Sequence, residues 1–261
     1  IPLVIALALI QFGGAIGIDT ATATRFSFLL TAAWWLLFTI PMLKNVEQKY
    51  GVAPDPHFVR QTLRRLGGTL RDIVSHRALA MFLIAYFFYI DGVGTIIHMA
   101  TVFGDSCGLG SMDMMLVLLV VQIVAFPFAI LYGVLARRVG ARTMILVGIA
   151  TYLVVCVVGI RLATLKDFLI LAVLVGTAQG GIQALSRSYF GKIVPEERSN
   201  EFFGFFDVFG KFSAVVGPAL FGLVAQATGV THYGVLAVMA MFALGGVLLL
   251  VGVPRSMERM H

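Results

Sequence analysis

ALAMFLIAYFFYIDGVGTIIHMATVFG, residues 78–104, is 27 residues long and carries one formal charge, Asp91. At ~1.5 Å per residue a helix of that length reaches about 40 Å, more than a ~30 Å hydrocarbon core requires. The stretch reads as a membrane helix, tilted or broken, with a carboxylate near its midpoint. A charge at that depth costs roughly 3 kcal/mol on insertion scales, so it is expected to face a cavity, a partner or a substrate path.

The surrounding sequence has the same character. Of the 261 residues, 59% are hydrophobic and 12% charged, against about 25% charged in a soluble domain. Mean hydropathy is +0.97. Apolar residues come in long runs at 3–18, 26–43, 78–104, 112–136, 143–161, 167–190, 202–228 and 232–253. Most exceed the ~18 residues that mark a membrane helix. The expected fold is therefore all-α and polytopic, with about eight membrane helices. The first run touches the chain start, which is Ile1 with no basic segment before it. A signal peptide is not indicated, and the chain is expected to begin inside a helix of a longer protein.

A net charge of +6 could suggest nucleic acid, but its placement argues against that. All but three of the 19 basic residues (Arg25, Arg161 and Lys166) fall on one side of an eight-pass chain. This positive-inside pattern predicts that the loop 44–77 and the tail 254–261 are cytosolic. The surplus reports topology and attraction to anionic lipid. Cys107 and Cys156 form no metal-like spacing, and no disulfide is expected of them.

Residues 44–77 form the main boundary, separating 1–43 from 78–253. The loop opens with KNVEQKYGVAPDPHF and continues as VRQTLRRLGGTLRDIVSHR. Val59, Leu63, Leu66, Leu70 and Ile73 recur at helical spacing, with Arg60, Arg64, Arg65 and Arg71 on other faces. A basic amphipathic helix on the inner membrane surface is predicted, either as a packed linker or as a lipid-sensing element. Gly67-Gly68 is expected to weaken or kink it. The 28 glycines, clustered at Gly176, Gly180 and Gly181 and strung along the seventh run, predict close helix packing. Gly217-Pro218 is expected to mark a bend.

GVLARRVGAR, residues 133–142, resembles the signature loop of the major facilitator superfamily in its second-half copy. Gly133, Arg138, Gly140 and Arg142 match, while Arg137 replaces the acidic position. AYFFYIDGVGTIIHMATVFG (85–104), QGGIQALSRSYFGKIVPEERSNEFFGFFDVFGKFSAVVGP (179–218) and SFLLTAAWWLLFTIP (27–41) resemble the vacuole-effluxer-like branch of that superfamily. That branch includes fungal vacuolar amino-acid exporters and bacterial members. The resemblance implies that residues 1–43 are the last two helices of an N-terminal bundle. Residues 78–253 would then be the complete C-terminal six-helix bundle of a twelve-helix carrier, with the first four helices upstream.

Polar residues within the runs are the candidate site. Asp91, Thr95 and His98 lie at i, i+4 and i+7, with Asp91 and His98 about 20° apart around a helix. Gly92 and Gly94 predict a loosened helix, as in the discontinuous helices of carriers. A carboxyl there could couple its protonation to conformation, with His98 as an outward relay. The structural alternative is an Asp that pins the helix by bonding a neighbouring hydroxyl or amide. Gln179, Gln183 and Ser186 share a face at i, i+4 and i+7, suited to a zwitterionic or hydroxylated substrate or to interhelical bonding. Asp207 and Lys211 have ion-pair spacing and, with Arg138 and Arg142, are inner-gate candidates. Arg187 is expected to snorkel. Glu196, Glu197, Arg198 and Glu201 are expected to be solvated, with Ser199 as an N-cap.

The sequence carries no nucleophile elbow, no His/Cys metal spacing and no phosphate-binding glycine loop, so no cofactor or metal is expected. The expectation is a secondary carrier for a small polar metabolite, plausibly amino acids, with proton coupling. It would lie in a bacterial cell membrane or, alternatively, a vacuolar one. Its partners would be the lipid bilayer, the substrate, H+ and the upstream helices. A non-transporting sensor or scaffold, and a lipid carrier, are the alternatives; upstream spans with a first-half signature loop would favour a carrier.

Overall fold

The computed structural model describes residues 2–47, 58–160, 162 and 164–253. Among them the helices are α1 (Pro2–Phe12), α2 (Thr20–Asn45), α3 (Phe58–Ser75), α4 (Arg77–Ser106) and α5 (Ser111–Val139). They continue with α6 (Ala141–Gly159), α7 (Leu165–Ile193), α8 (Ser199–Thr228) and α9 (Gly234–Gly252). Seven of these, α2 and α4–α9, are long and apolar enough to cross a membrane. The protein is an all-α, multi-pass integral membrane protein.

The first expected span, 3–18, is not a crossing helix by itself. α1 has 11 residues, about 17 Å of helix. A 3₁₀ turn at Gly13–Ile16 follows and closes on Gly17 at φ 78°, a conformation that favours glycine. The tail 254–261, the loop residues 48–57 and Arg161 lie outside the described residues.

Two units divide the chain, Ile1–Asp55 and Pro56–His261. In the first, α1 and α2 pack together. Asp19 caps α2 by accepting from the Thr22 amide at 3.2 Å. Thr22 thereby holds the Asp19 carboxyl below the usual carboxylate range. α2 buries only Ala23 and exposes Phe28, Trp35 and Leu43. Apolar surface on that scale is covered by lipid or by further helices.

In the second unit α7 packs along α5 and α6, and α4 packs along α8 and α9. Absent side chains permit the approach. A Cβ on Gly176 of α7 would come within 2.8 Å of Val124 in α5, and one on Gly245 of α9 within 3.0 Å of the Tyr89 amide in α4. Without a hydrophobic driving force between helices in lipid, such contact is a main source of association. Gly140, at φ 92°, ends α5 and starts α6. Thr164 and Asp167 cap the start of α7 reciprocally, at 2.9 and 3.3 Å. A cap of this type contributes about 1 kcal/mol. Both cysteines are free.

Three helices run unbroken through their glycines. α3 runs through Gly67-Gly68, α4 through Gly92 and Gly94, and α8 through Gly217-Pro218. In α4 the ring of Phe242 in α9 sits where a Gly92 side chain would be, so Gly92 serves close packing of α4 on α9. Ser199 is the first residue of α8; the N-cap position is Arg198, whose side chain makes no capping bond.

Candidate functional site

Asp91 lies halfway along α4 and is fully buried, as is Thr95 one turn on. Neither carboxylate oxygen, nor the Thr95 hydroxyl, makes a hydrogen bond of normal geometry. Their polar neighbours are each other and the backbone of Gly217 in α8. The contact is close: a Cβ on Gly217 would collide with Thr95 Oγ1 and stand 2.6 Å from Asp91 Oδ1. Pro218 follows, which removes one amide from the ladder of α8 at that level. The sequence marks both helices, by a lone charge and by Gly-Pro, but only the fold brings them together.

His98 does not join this group. It is exposed, and its Nδ1 donates to the Gly94 carbonyl one turn back at 2.7 Å. Asp91 and His98 share a stripe of α4, but one is sealed and the other open.

The three polar residues of α7 also separate. Ser186 is buried, donating to the Ile182 carbonyl at 2.6 Å. With its own hydrogen so placed, Ser186 accepts from the Tyr89 hydroxyl of α4 at 2.7 Å. It joins two helices, and Tyr89 is a partner that sequence spacing gave no sign of. Gln179 keeps a buried Oε1 without a hydrogen-bond partner, and Gln183 is exposed.

Asp207 is paired with Arg187 of α7 at 2.9 Å rather than with Lys211. The two side chains are 50% and 57% exposed. Arg187 does not merely snorkel: its guanidinium lies 5.0 Å from the Phe203 ring centroid and 6.0 Å from that of Phe206. That aromatic bed holds the Arg187 guanidinium against α8. Asp207 is eight residues into α8, about 12 Å from its start.

Arg138 is exposed, whereas Arg142 is 5% exposed. Arg142 Nη2 donates to the carbonyls of Leu249 and Leu250, at 3.3 and 2.9 Å, near the end of α9. A cation there meets the negative end of a helix dipole.

Glu196 and Glu197 are exposed as expected, but Arg198 and Glu201 are half-buried and held in a network. Arg198 binds Asp72 of α3 at 2.5 Å, Thr69 of α3 at 2.8 Å and Glu201 at 3.0 Å. Thr69, fully buried, donates to Glu201 at 2.7 Å. This network ties α3 to the start of α8, and the residues it joins across the two are more than 120 positions apart in sequence.

Residues 1–261 match the family described as Vacuole effluxer Atg22 like. Over 251 residues the chain is 50% identical to the Uncharacterized MFS-type transporter YxiO of Bacillus subtilis (strain 168), covering 95% of this chain and 59% of that protein. Autophagy-related protein 22 of Botryotinia fuckeliana (strain B05.10) is 24% identical over 274 residues, covering 90% of this chain and 45% of that protein. Its namesake in Yarrowia lipolytica (strain CLIB 122 / E 150) is 26% identical over 242 residues, covering 80% and 41%. The chain spans roughly half the length of these curated relatives.

Proposed function

Since the chain belongs to the vacuole effluxer Atg22-like family, we propose that it is part of a secondary carrier working by alternating access. The whole protein moves a small polar metabolite, amino acids being the leading class, with proton coupling and no enzymatic chemistry. The observation that carries this reading is Asp91: a carboxyl at mid-helix, shut from water and without a well-formed hydrogen bond. A group so placed is costly to keep. It becomes useful when α8 withdraws, water reaches the carboxyl and a proton is exchanged.

In this reading the substrate binds near the midplane between two six-helix halves. Gln179 and Gln183 are its contacts on α7, while Ser186 is committed to Tyr89. The Arg187–Asp207 pair forms the inner gate, with Lys211 and Arg138 as further exposed cations. The loop 44–77 and the chain's end lie in the cytosol of a bacterial cell, following the positive-inside bias. Bilayer and upstream helices of the same protein complete the cavity.

The test is amino-acid flux in vesicles reconstituted with the full-length protein, with and without a proton gradient. Asp91→Asn should abolish gradient-driven accumulation. Transport unchanged by this substitution at every pH would overturn the reading.

A further inference from the structure

The exposed surface of the second unit is not uniform. On α9 it is bulky and apolar, with Val247, Leu250 and Val251 all more than half exposed, as a face covered by lipid requires. The C-terminal third of α7 differs. Its exposed positions from 183 to 192 are Gln183, Ala184, Arg187, Ser188, Gly191 and Lys192, without one large apolar side chain. Arg187 stands about 9 Å short of the helix end at Ile193. A polar face at that depth, on a membrane helix whose other side is packed, borders water and polar solutes rather than acyl chains.

Beside it α8 presents Asp207. Arg187 Nη1 donates to Asp207 Oδ1 at 2.9 Å. One bond joins the pair, which leaves Nε and Nη2 of Arg187 and Oδ2 of Asp207 open to another partner. The guanidinium does not depend on Asp207 for its place. It rests on the Phe203 and Phe206 rings, and that bed is braced from both neighbouring helices. Tyr86 of α4 stacks on Phe206 at 4.1 Å, and Phe190 of α7 stacks on it at 4.8 Å. A guanidinium held by rings stays presented when its carboxylate bonds elsewhere.

Two opposite charges with unused bonding capacity thus stand side by side on a polar wall. A simple anion would satisfy Arg187 and meet Asp207 as a like charge; a simple cation would do the reverse. A molecule carrying a carboxylate next to an ammonium answers both. We propose that Arg187 and Asp207 recognise the two charges of a zwitterionic amino acid, its carboxylate on the Arg187 guanidinium and its ammonium on the Asp207 carboxylate. The substrate replaces the pair's own bond, so the closed pair is the empty state and binding opens it. The proposal rests on the carrier reading and goes beyond it by giving the gate residues the work of recognition.

The experiment uses the purified full-length protein and a radiolabelled mixture of the standard L-amino acids. The amino acid that the protein retains is competed with its primary amide, which lacks the carboxylate, and with the acid lacking its amino group. The unaltered protein should prefer the amino acid to each analogue by on the order of tenfold. Arg187→Gln should erase the preference over the amide and keep that over the deaminated acid; Asp207→Asn should do the converse. Arg187→Lys, which keeps the charge and loses the fork, should recover part of the first preference. Lys166→Gln, exposed at the other end of α7, should change neither. Because the pair is half exposed, a nearly unchanged thermal midpoint is expected and shows that the variants are folded. A pair that only closes a gate would alter flux and leave both preferences intact, which would overturn the proposal. Retention of no amino acid would overturn it together with amino acids as the substrate class. Unchanged accumulation in Asp91→Asn, with both preferences present, would remove proton coupling at Asp91 and leave this site standing.

Discussion

α8 meets its neighbours through two polar contacts of opposite kind. At its first turn, Glu201 and the preceding Arg198 engage Thr69 and Asp72 of α3, and each charge finds an opposite charge or a hydroxyl. At its middle, Gly217 presses on Asp91 and Thr95, whose oxygens form no normal hydrogen bond. The first contact is part-exposed and satisfied; the second is buried and unsatisfied. Satisfied contacts at an edge hold elements together at modest cost. Unsatisfied polar atoms in a core are costly and call for a functional or structural reason.

Substitutions at the two contacts should therefore behave differently. The largest effect is expected at Gly217→Val, where the new side chain has no room against Thr95 and Asp91. Overpacking of this kind costs about 1–3 kcal/mol, and more when backbone must shift. A lowered thermal midpoint of the purified full-length protein, with loss of transport, checks it; unchanged stability would mean that α8 and α4 are not in contact there. Next, Arg198→Ala leaves Asp72 and Glu201 without their cation and is expected to cost about 1–2 kcal/mol. Faster proteolysis within residues 58–75 would report the release of α3.

Asp91→Asn sharpens the contrast. It removes a buried charge faced only by Thr95 and the Gly217 backbone, so stability should hold or rise by up to about 1 kcal/mol while proton-driven transport is lost. A large drop in thermal midpoint would instead make Asp91 a structural residue. Arg187→Gln breaks a pair that is half exposed on both sides, so its stability effect should stay below about 1 kcal/mol and shrink in high salt. Lys211→Ala, outside the pair, should change the midpoint least, within about 0.5 kcal/mol.

What the sequence made legible follows from the range of each signal. The helical class is written locally: each apolar run from 78 onward became a helix in nearly the expected place, because backbone groups in lipid must be satisfied within the segment. Asp91 and Gly217 stood out for the same reason, as local exceptions in an apolar background. Pairings between helices were not legible. Asp207 has Lys211 at helical spacing, yet Arg187 takes it, because an aromatic bed on the neighbouring helix positions that guanidinium. Arg198 looked like a loop charge, since its partners Thr69 and Asp72 lie far away in sequence. α1 fell short because Gly13, Gly14 and Gly17 close a turn where hydropathy alone saw continuity.

Arg142 carries one more implication. It stands at the beginning of α6 and binds carbonyls near the end of α9. Those two points can touch only if the chain between them crosses the membrane an even number of times. The Arg198–Asp72 bond imposes the same parity on the stretch from α4 to α7. A crossing gained or lost inside either bracket would strand the partners on opposite faces. The two bonds thus act as closure conditions on the path of the chain, and insertion errors that change the count by one cannot satisfy them.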